Sequence, residues 1–305
     1  MRPISPTRPT DLNGTHTRNR SGPENQLGSA FWISTSWIVV LLFAVTFADV
    51  LPLRDPFESY FAKLKARPSL EYWFGTDVLA RDIFSRVIYG ARISLTVGFL
   101  ATFIGMIIGL TLGMMAGYYR GSVESLIVGV MDVILAFPNI VLAMGILFFA
   151  GADLINLIIV LAITSIPANT RIARASTLVF AEREFVIAAR ALGASDIRIL
   201  TRELLPNILL PQLAYILAFM SIVIMIEGSL SFLGVGIPPP APTWGGMIAK
   251  GFTDIDTDPH ITFIPALILF LTVLSLNLMG DRLRNCLLYT SDAADEGLGV
   301  DLGGR

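Results

Sequence analysis

The chain has 305 residues, of which 54% are hydrophobic and only 15% are charged, and its formal net charge is −2. Soluble globular proteins carry about a quarter charged residues, so this composition excludes an ordinary soluble domain. The near-neutral charge provides no basic excess that would suggest a nucleic-acid partner. Cys286 is the only cysteine, which excludes a disulfide framework and a cysteine-based metal site. The only histidines, His16 and His260, lie far apart, so we expect no metal site.

Six apolar runs are each long enough to cross a membrane, since a helix needs about 20 residues to span about 30 Å of hydrocarbon. They cover residues 30–51, 93–118, 126–150, 154–172, 208–230 and 261–279, and only the sequence AGAD separates the third run from the fourth. The sequence therefore predicts an all-α membrane protein with about six transmembrane helices.

The first 29 residues are polar and basic, with Arg2, Arg8, Arg18 and Arg20. By the positive-inside rule we expect this segment, residues 1–29, in the cytoplasm, and six spans would return the C-terminus to the same side. The membrane domain, residues 30–285, then has external loops at about 52–90 and 231–260 and a cytoplasmic loop at about 173–206. A cleaved signal peptide is the alternative for the first run.

The last residues, CLLYTSDAADEGLGVDLGGR, have neither an apolar period nor basic character. Written in ordinary codons, they resemble the translated end of an adapter used in transposase-based sequencing libraries. We therefore expect the native sequence to stop near Asn285 and residues 286–305, with Cys286, to be foreign. An ordinary acidic tail is the alternative.

The second apolar run carries a glycine at every fourth position: Gly105, Gly109, Gly113 and Gly117. Residues four apart lie on one face of a helix, and in water each glycine would cost about 1 kcal/mol of helix stability relative to alanine. In a bilayer such a stripe lets another helix backbone approach closely, so we expect this helix to pack inside the bundle. The pattern fits static packing and packing around a moving pathway equally well.

Two prolines and two acids lie within or beside the apolar runs. Pro138 is inside the third run and Pro167 near the end of the fourth, and each permits a kink, as in gates and in resting membrane helices. Asp132 and Glu227 are pathway candidates because charge inside a membrane is costly. We expect Asp132 about two turns into its span and Glu227 near an outer end, within reach of lipid headgroups. With no basic residue paired to them inside the spans, a proton relay is disfavoured.

The segment EFVIAARALGASDIRILTRELLPN, residues 184–207, places charges between two apolar runs. Its first half has apolar residues at i, i+3, i+4 and i+7, which predicts a helix with one apolar face: Phe185, Ala188, Ala189 and Leu192. Gly193 is expected to adopt the left-handed conformation that ends such a helix. The alanine-rich face is flat and suits a protein groove better than the alternative, a membrane surface.

The second half of this segment predicts another short helix. Ser195 is placed to cap it, Pro206 is expected to end it, and its apolar stripe comprises Ile197, Leu200 and Leu204. We therefore predict a helix-turn-helix at the cytoplasmic surface, with four exposed arginines: Arg183, Arg190, Arg198 and Arg202.

These residues resemble the cytoplasmic signature loop of ABC importer permeases, a Glu-Ala-Ala pattern, three residues, a glycine and a final Leu-Pro-Asn. FGTDVLARDIFSRVIYGARISLTVG (residues 74–98) and EGSLSFLGVGIPPPAPTWGGMIAKG (residues 227–251) resemble signatures of the C-type subunit in the dipeptide, oligopeptide and nickel branch. The resemblance runs from about Phe31 to Asn285. It implies a type I ABC importer permease in a prokaryotic inner membrane.

The resemblance implies one permease of an importer for peptides or a related small solute, with nickel among the candidates. The implied partners are a second homologous permease, two cytoplasmic ATPases that bind ATP with magnesium, an external solute-binding protein and membrane lipid. The chain itself is expected to bind no cofactor and to catalyse no reaction, and it lacks a GxxxxGK[ST] phosphate loop. A self-sufficient channel or secondary transporter is one alternative, and a membrane enzyme is another.

The resemblance also assigns coupling to the ATPase to residues of the loop: Glu184, Ile187, Ala188, Ala189, Arg190, Gly193, Ala194, Ser195 and Pro206. Two positions depart from the family pattern, since Ile187 stands where glutamate is usual and Ala80 where glycine is usual. A glutamate at position 187 would pair with Arg183 and Arg190 for a few tenths of a kcal/mol each. Its absence makes the expected coupling surface more basic and more apolar.

Overall fold

The computed structural model describes residues 28–298, with side-chain surroundings for residues 28–285. The segment 1–29 therefore falls almost entirely outside the description, as do residues 299–305 and the side chains of the rest of the tail. The helices are α1 Ser29–Thr46, α2 Ile83–Tyr119, α3 Gly121–Leu135, α4 Asn139–Ala150, α5 Leu154–Phe180, α6 Glu184–Ala191, α7 Asp196–Arg198, α8 Leu205–Phe232, α9 Trp244–Phe252 and α10 His260–Leu298. A 3-10 turn lies at Phe61–Lys63, and a π-helical stretch, Ile199–Leu204, joins α7 to α8.

The predicted all-α membrane fold is confirmed, with one change in how the spans are built. Five helices among the described residues are long and apolar enough to cross a membrane, and a sixth span exists only if α3 and α4 count as one. The third apolar run therefore forms two helices, α3 and α4, whose axes differ by 86°, whereas we expected one kinked helix. Pro138 is the N-cap of α4, with φ −56° and ψ 129°. Its missing N–H and the strain on the preceding residue interrupt the helical hydrogen bonds.

Helix α2 packs along α5, and this is the most extensive contact between two helices of the described chain. The four glycines, Gly105, Gly109, Gly113 and Gly117, all face α5. A Cβ on Gly109 would lie 2.5 Å from Asn169 Cβ and 2.9 Å from the Ile166 carbonyl oxygen, and a Cβ on Gly113 would lie 2.5 Å from Ala173 Cβ. Small residues on both helices therefore bring the two backbones together.

Three helix boundaries differ from the sequence prediction. Helix α2 begins at Ile83, well before the apolar run, because the Asp82 carboxylate accepts a hydrogen bond from Ser85 N at 2.8 Å and so caps it. Helix α5 continues through Pro167, as the predicted run does, but ends at Phe180, beyond the predicted end at residue 172. Pro206 does not end a helix, so that prediction was wrong. It lies in the first turn of α8, just after the π-helical stretch, and a first turn tolerates the N–H that proline lacks. The chain is consequently one continuous helix over Asp196–Phe232.

Residues 52–82, here called the cap segment, fold against the N-terminal end of α2. The Thr76 hydroxyl accepts a hydrogen bond from Ala66 N at 2.8 Å, which fixes the middle of the segment. Helix α9, in the loop between α8 and α10, completes this end of the bundle. Its Trp244 is fully buried and donates from Nε1 to the Val87 carbonyl oxygen at 3.0 Å.

We expect Gly109→Ala to destabilise the protein by about 1–3 kcal/mol, because the added methyl would meet the α5 backbone, which cannot rotate away. Gly129→Ala in α3 is the matched control, since a Cβ there has no neighbour within 4 Å. That substitution should be neutral or stabilising, because alanine is the better helix former. Thermal unfolding of the purified protein in detergent measures both variants. Equal effects of the two substitutions would contradict the close approach of α2 and α5.

Candidate functional site

Helix α6 and the turn after it form a rigid unit. The turn is a Schellman motif, in which Gly193 N donates to the Arg190 carbonyl and Ala194 N donates to the Ala189 carbonyl, both at 3.0 Å. Gly193 has φ 80°, the left-handed conformation that the sequence predicted. Ser195 occupies the N-cap position of α7, but its side chain makes no capping hydrogen bond, which differs from the expectation.

Helix α6 is seated on the bundle by a single large apolar anchor. Val186 is fully buried in a cluster with Leu110 of α2, Ala173 of α5, and Ile199 and Leu204. Val186 lies outside the apolar face that the sequence predicted for contact with a partner protein. The four residues predicted for that face are partly or largely exposed: Phe185, Ala188, Ala189 and Leu192. The spacing of apolar residues correctly predicted a helix, but it did not indicate which side of that helix packs against the chain's own core.

The outer surface of α6 is apolar and accessible. Ile187 is 58% exposed and Leu192 is 89% exposed. The residues proposed for ATPase contact divide into exposed positions, Glu184, Ile187, Ala188, Arg190, Gly193, Ser195 and Pro206, and two partly buried ones, Ala189 and Ala194. A partner that approaches α6 would thus meet Ile187, Ala188 and Leu192, while Ala189 packs beside Val186 on the chain's own cluster.

Two contacts that the sequence analysis missed join α6 and α7 to the end of α2. The Tyr118 hydroxyl donates to Asp196 Oδ1 at 2.7 Å, and the Arg190 guanidinium lies over the Tyr118 ring at 5.5 Å. A third contact pairs Arg120 with Glu182 at 2.7 Å. The sequence did show an aromatic pair that includes Tyr118 at the end of an apolar run. It could not show which residues Tyr118 would contact, because both of them lie 70 or more residues away along the chain.

The acids of the spans are paired, contrary to expectation. Asp132 of α3 accepts from Arg171 of α5 at 2.7 Å, and both side chains are more than half exposed. Glu124 of α3 forms a further pair with Arg174 of α5. Helix α5 extends to Phe180, beyond the apolar run at residues 154–172, and so carries both arginines beside α3. These pairs hold α3 to α5 by charge, because Met131 is the only buried residue of α3.

Glu227 lies inside the bundle, so the prediction that headgroups solvate it was wrong. Its side chain is fully buried, and its two carboxyl oxygens accept from Ser94 and Ser231, each at 2.8 Å. Ser94 belongs to α2, and Ser231 lies one turn after Glu227 on α8. The carboxyl group therefore links α2 to α8, and the two serine hydroxyls satisfy the hydrogen-bonding capacity of its buried oxygens.

The described residues contain no group of three or more histidine, cysteine, aspartate or glutamate side chains that could hold a metal ion. Pro138 lies at the α3–α4 break, beside the exposed Phe137. The pathway candidates Asp132, Pro138 and Glu227 therefore lie on three different elements: the end of α3, the N-cap of α4 and the interior of α8.

Comparison with known proteins gives one family and close relatives. The family described as binding-protein-dependent transport system inner membrane component matches residues 109–287. The glutathione transport system permease proteins GsiD of Escherichia coli O6:K15:H31 (strain 536 / UPEC) and of Shigella boydii serotype 4 (strain Sb227) are each 44% identical to this chain over 253 residues. Each match covers 82% of this chain and 83% of the relative.

Solved structures show the same fold at lower sequence identity. The inward-facing MetNI methionine ABC transporter in its CY5 native crystal form aligns with TM-score 0.56 and 19% identity, over 67% of this chain and 97% of that chain. Its CY5 SeMet soak crystal form aligns with TM-score 0.55 over 66% and 96% of the two chains. The helical architecture described above is therefore that of importer permeases.

We expect Glu227→Gln to keep stability within about 1 kcal/mol of the parent, because the serine hydroxyls can donate to or accept from an amide of the same shape. Glu227→Leu should cost about 1–3 kcal/mol, because it leaves two buried hydroxyls without their partner. Thermal unfolding and solute uptake of both variants provide the measurement. Parent-like stability of Glu227→Leu would contradict a linking role. Normal stability with abolished uptake in Glu227→Gln would show a second role, one that requires a carboxyl group that exchanges protons.

Proposed function

This chain belongs to the family of binding-protein-dependent transport system inner membrane components, and from that premise we propose that it carries a small peptide-like solute across the inner membrane. It is a multi-pass permease subunit of an ABC importer. The cargo proposal is supported by 44% identity over 82% of the chain to permeases named for glutathione transport. Glutathione and short peptides share an extended, zwitterionic backbone of similar size.

A second homologous permease completes the pathway in this proposal. The support is the large apolar surface that α3 and α4 leave uncovered, where Leu126 is 70%, Phe148 is 80% and Phe149 is 89% exposed. Contiguous exposed apolar surface of this kind marks a membrane or protein interface. Lipid covers the part of this surface that the second permease does not.

The coupling surface is the exposed side of α6, and this is the single observation that carries the mechanism. ATP with magnesium is bound by the partner ATPases, and this chain contributes no cofactor site and no covalent step. Helix α6 ends in a Schellman turn and is buried at Val186, so it moves as a rigid unit. A partner protein that binds Ile187, Ala188 and Leu192 would therefore move the whole helix. Movement of α6 would pass to the π-helical stretch Ile199–Leu204, on which it packs, and through the shared apolar cluster to α2 and α5.

The proposed orientation puts α6 and both termini in the cytoplasm and the cap segment outside. The support is the cluster of arginines around α6, since cytoplasmic loops are enriched in basic residues. The cap segment and α6 lie at opposite ends of α2, whose 37 residues span about 55 Å. The solute-binding protein would then meet the cap segment and α9.

Uptake by proteoliposomes tests the cargo proposal. The permease, the ATPases that purify with it and its solute-binding protein are reconstituted, and accumulation of labelled glutathione is followed with ATP or ADP inside. We expect uptake that requires ATP and that unlabelled glutathione and tripeptides reduce, whereas free amino acids and nickel ions leave it unchanged. Uptake of nickel alone would contradict the peptide proposal. Uptake that proceeds equally with ADP would instead support the channel or secondary-transporter alternative.

Substitutions of Gly193 test the coupling proposal. A Cβ at Gly193 meets no atom within 4 Å, so its φ of 80° is the only constraint on this position. We expect Gly193→Val to reduce uptake roughly 5- to 30-fold, because forcing a β-branched residue into this region costs about 1–2 kcal/mol. Gly193→Asn is the matched control and should retain uptake, because asparagine tolerates the left-handed region.

ATP hydrolysis is measured alongside uptake in both Gly193 variants. The coupling proposal expects hydrolysis by the Gly193→Val complex to become insensitive to the binding protein while the permease stays inserted. Uptake at the parent rate by the Gly193→Val variant, at matched expression, would contradict a coupling role for the turn.

A further inference from the structure

A small, largely enclosed cavity lies beneath the cap segment, where the first turns of α2 meet α9 and the start of α10. Its volume is about 10 Å³, roughly what one buried water requires. Three cationic side chains line it, Arg81, Arg86 and Lys250, together with one carboxylate, Asp77. The charged groups at this cavity therefore sum to a positive excess.

The carboxylate is fully occupied by donors from its own turn. Asp77 Oδ1 accepts from Leu79 N at 2.8 Å and from Arg81 N at 3.0 Å. Asp77 Oδ2 accepts from Arg81 Nε at 2.8 Å and from Arg81 Nη2 at 2.6 Å. This bidentate pair neutralises Arg81. Asp77 also lies within ion-pair distance of Arg86, but one carboxylate can compensate only one of the three cations.

Arg86 is almost completely buried and incompletely satisfied. Its side chain is 1% exposed, and its Nη1 and Nη2 donate to the carbonyl oxygens of Pro56 and Pro240, at 2.6 and 3.5 Å. Its Nε lies 3.6 Å from Asp77 Oδ2, beyond hydrogen-bond distance, and has no hydrogen-bond partner in the described protein. A buried guanidinium with an unused N–H at a cavity is costly unless an acceptor occupies the space.

Lys250 brings a further positive charge to the same cavity from α9. Within the described residues its ammonium group forms no ion pair or hydrogen bond. Burial, followed by the nearby positive charges of Arg81 and Arg86, lowers the pKa of Lys250 below its ordinary value. The neighbouring Asp82 offers no compensation, because it caps α2 through Ser85 and lines a different cavity.

We propose that this cavity binds a single monatomic anion, and that under physiological conditions the anion is chloride. The anion accepts from Arg86 Nε and neutralises Lys250. Because the cavity has room for about one water, its lining side chains must shift slightly to admit the larger chloride ion. The bound anion joins α2 to α9, because Arg86 and Lys250 belong to these two helices, and Arg81 of the cap segment lines the same cavity. The site is independent of the cargo and of the ATPase.

Bromide crystallography tests occupancy directly, because bromide replaces chloride and scatters anomalously. Crystals of the permease complex grown in sodium bromide should give anomalous density in this cavity, within hydrogen-bond distance of Arg86 Nε. A cavity without anomalous density, holding a water instead, would overturn the proposal.

Thermal unfolding of the purified complex tests the energetic role. In sodium chloride we expect the Tm to exceed that in sodium gluconate of equal ionic strength by about 3 °C, with saturation as chloride rises. Lys250→Met should lose most of this difference. Lys65→Met is the matched control, because it removes the same charge from the same end of the molecule, where Lys65 pairs with Asp254 at 2.8 Å.

The control variant is expected to keep the full chloride effect. Equal Tm values of the parent in the two salts, or an undiminished difference in Lys250→Met, would overturn the proposal. If Lys250→Met failed to fold, the bromide density of the parent protein would decide the question without it.

Discussion

The close approach of α2 to α5 is the contact on which the rest of this permease depends. Glycines on α2 face small and polar residues on α5, such as Asn169 and Ala173, so the two helices meet almost backbone to backbone. Because lipid offers no hydrophobic drive for helix association, van der Waals contact over this length supplies the stabilisation. The remaining helices are arranged around this pair: α8 packs on both, and α6 is anchored where their ends meet.

Helix α2 also connects the two ends of the molecule. Its first turns carry Arg86, which binds carbonyl groups of the cap segment and of the loop before α9. Its last turn carries Tyr118, which holds Asp196 and lies under Arg190. A continuous helix of this length resists bending, so a displacement of α6 has a direct mechanical route to the cap segment. This route suits an importer that must coordinate events on both sides of the membrane.

The broken pair α3–α4 contrasts with this rigid frame. Helix α3 buries only Met131 and is held to α5 by the pairs Asp132–Arg171 and Glu124–Arg174. The exposed pair Asp132–Arg171 contributes about 0–1 kcal/mol, far less than the glycine-lined contact of α2. Helix α3 is therefore held to the bundle less firmly than α2. The structure thus combines a fixed pair of helices with one that can shift beside them.

The sequence by itself determined the membrane class, the helical content, the glycine stripe and the turn at Gly193, because each depends on local composition or on backbone preference at one position. The three signature segments likewise identified the family. Tertiary structure decided the rest. Pro138 breaks a span whereas Pro167 and Pro206 do not, since the outcome depends on whether the proline lies in a first turn and on what packs around it.

The pairing of charges and the orientation of α6 were also beyond the sequence. Glu227 meets Ser94, and Asp132 meets Arg171, across distances along the chain that no local pattern encodes. Periodicity predicted α6 as a helix, but only the packed cluster with Leu110 and Ile199 selected Val186 as its anchor. A hydrophobic period gives the shape of an element, while the side that is buried depends on which neighbours the rest of the fold brings to it.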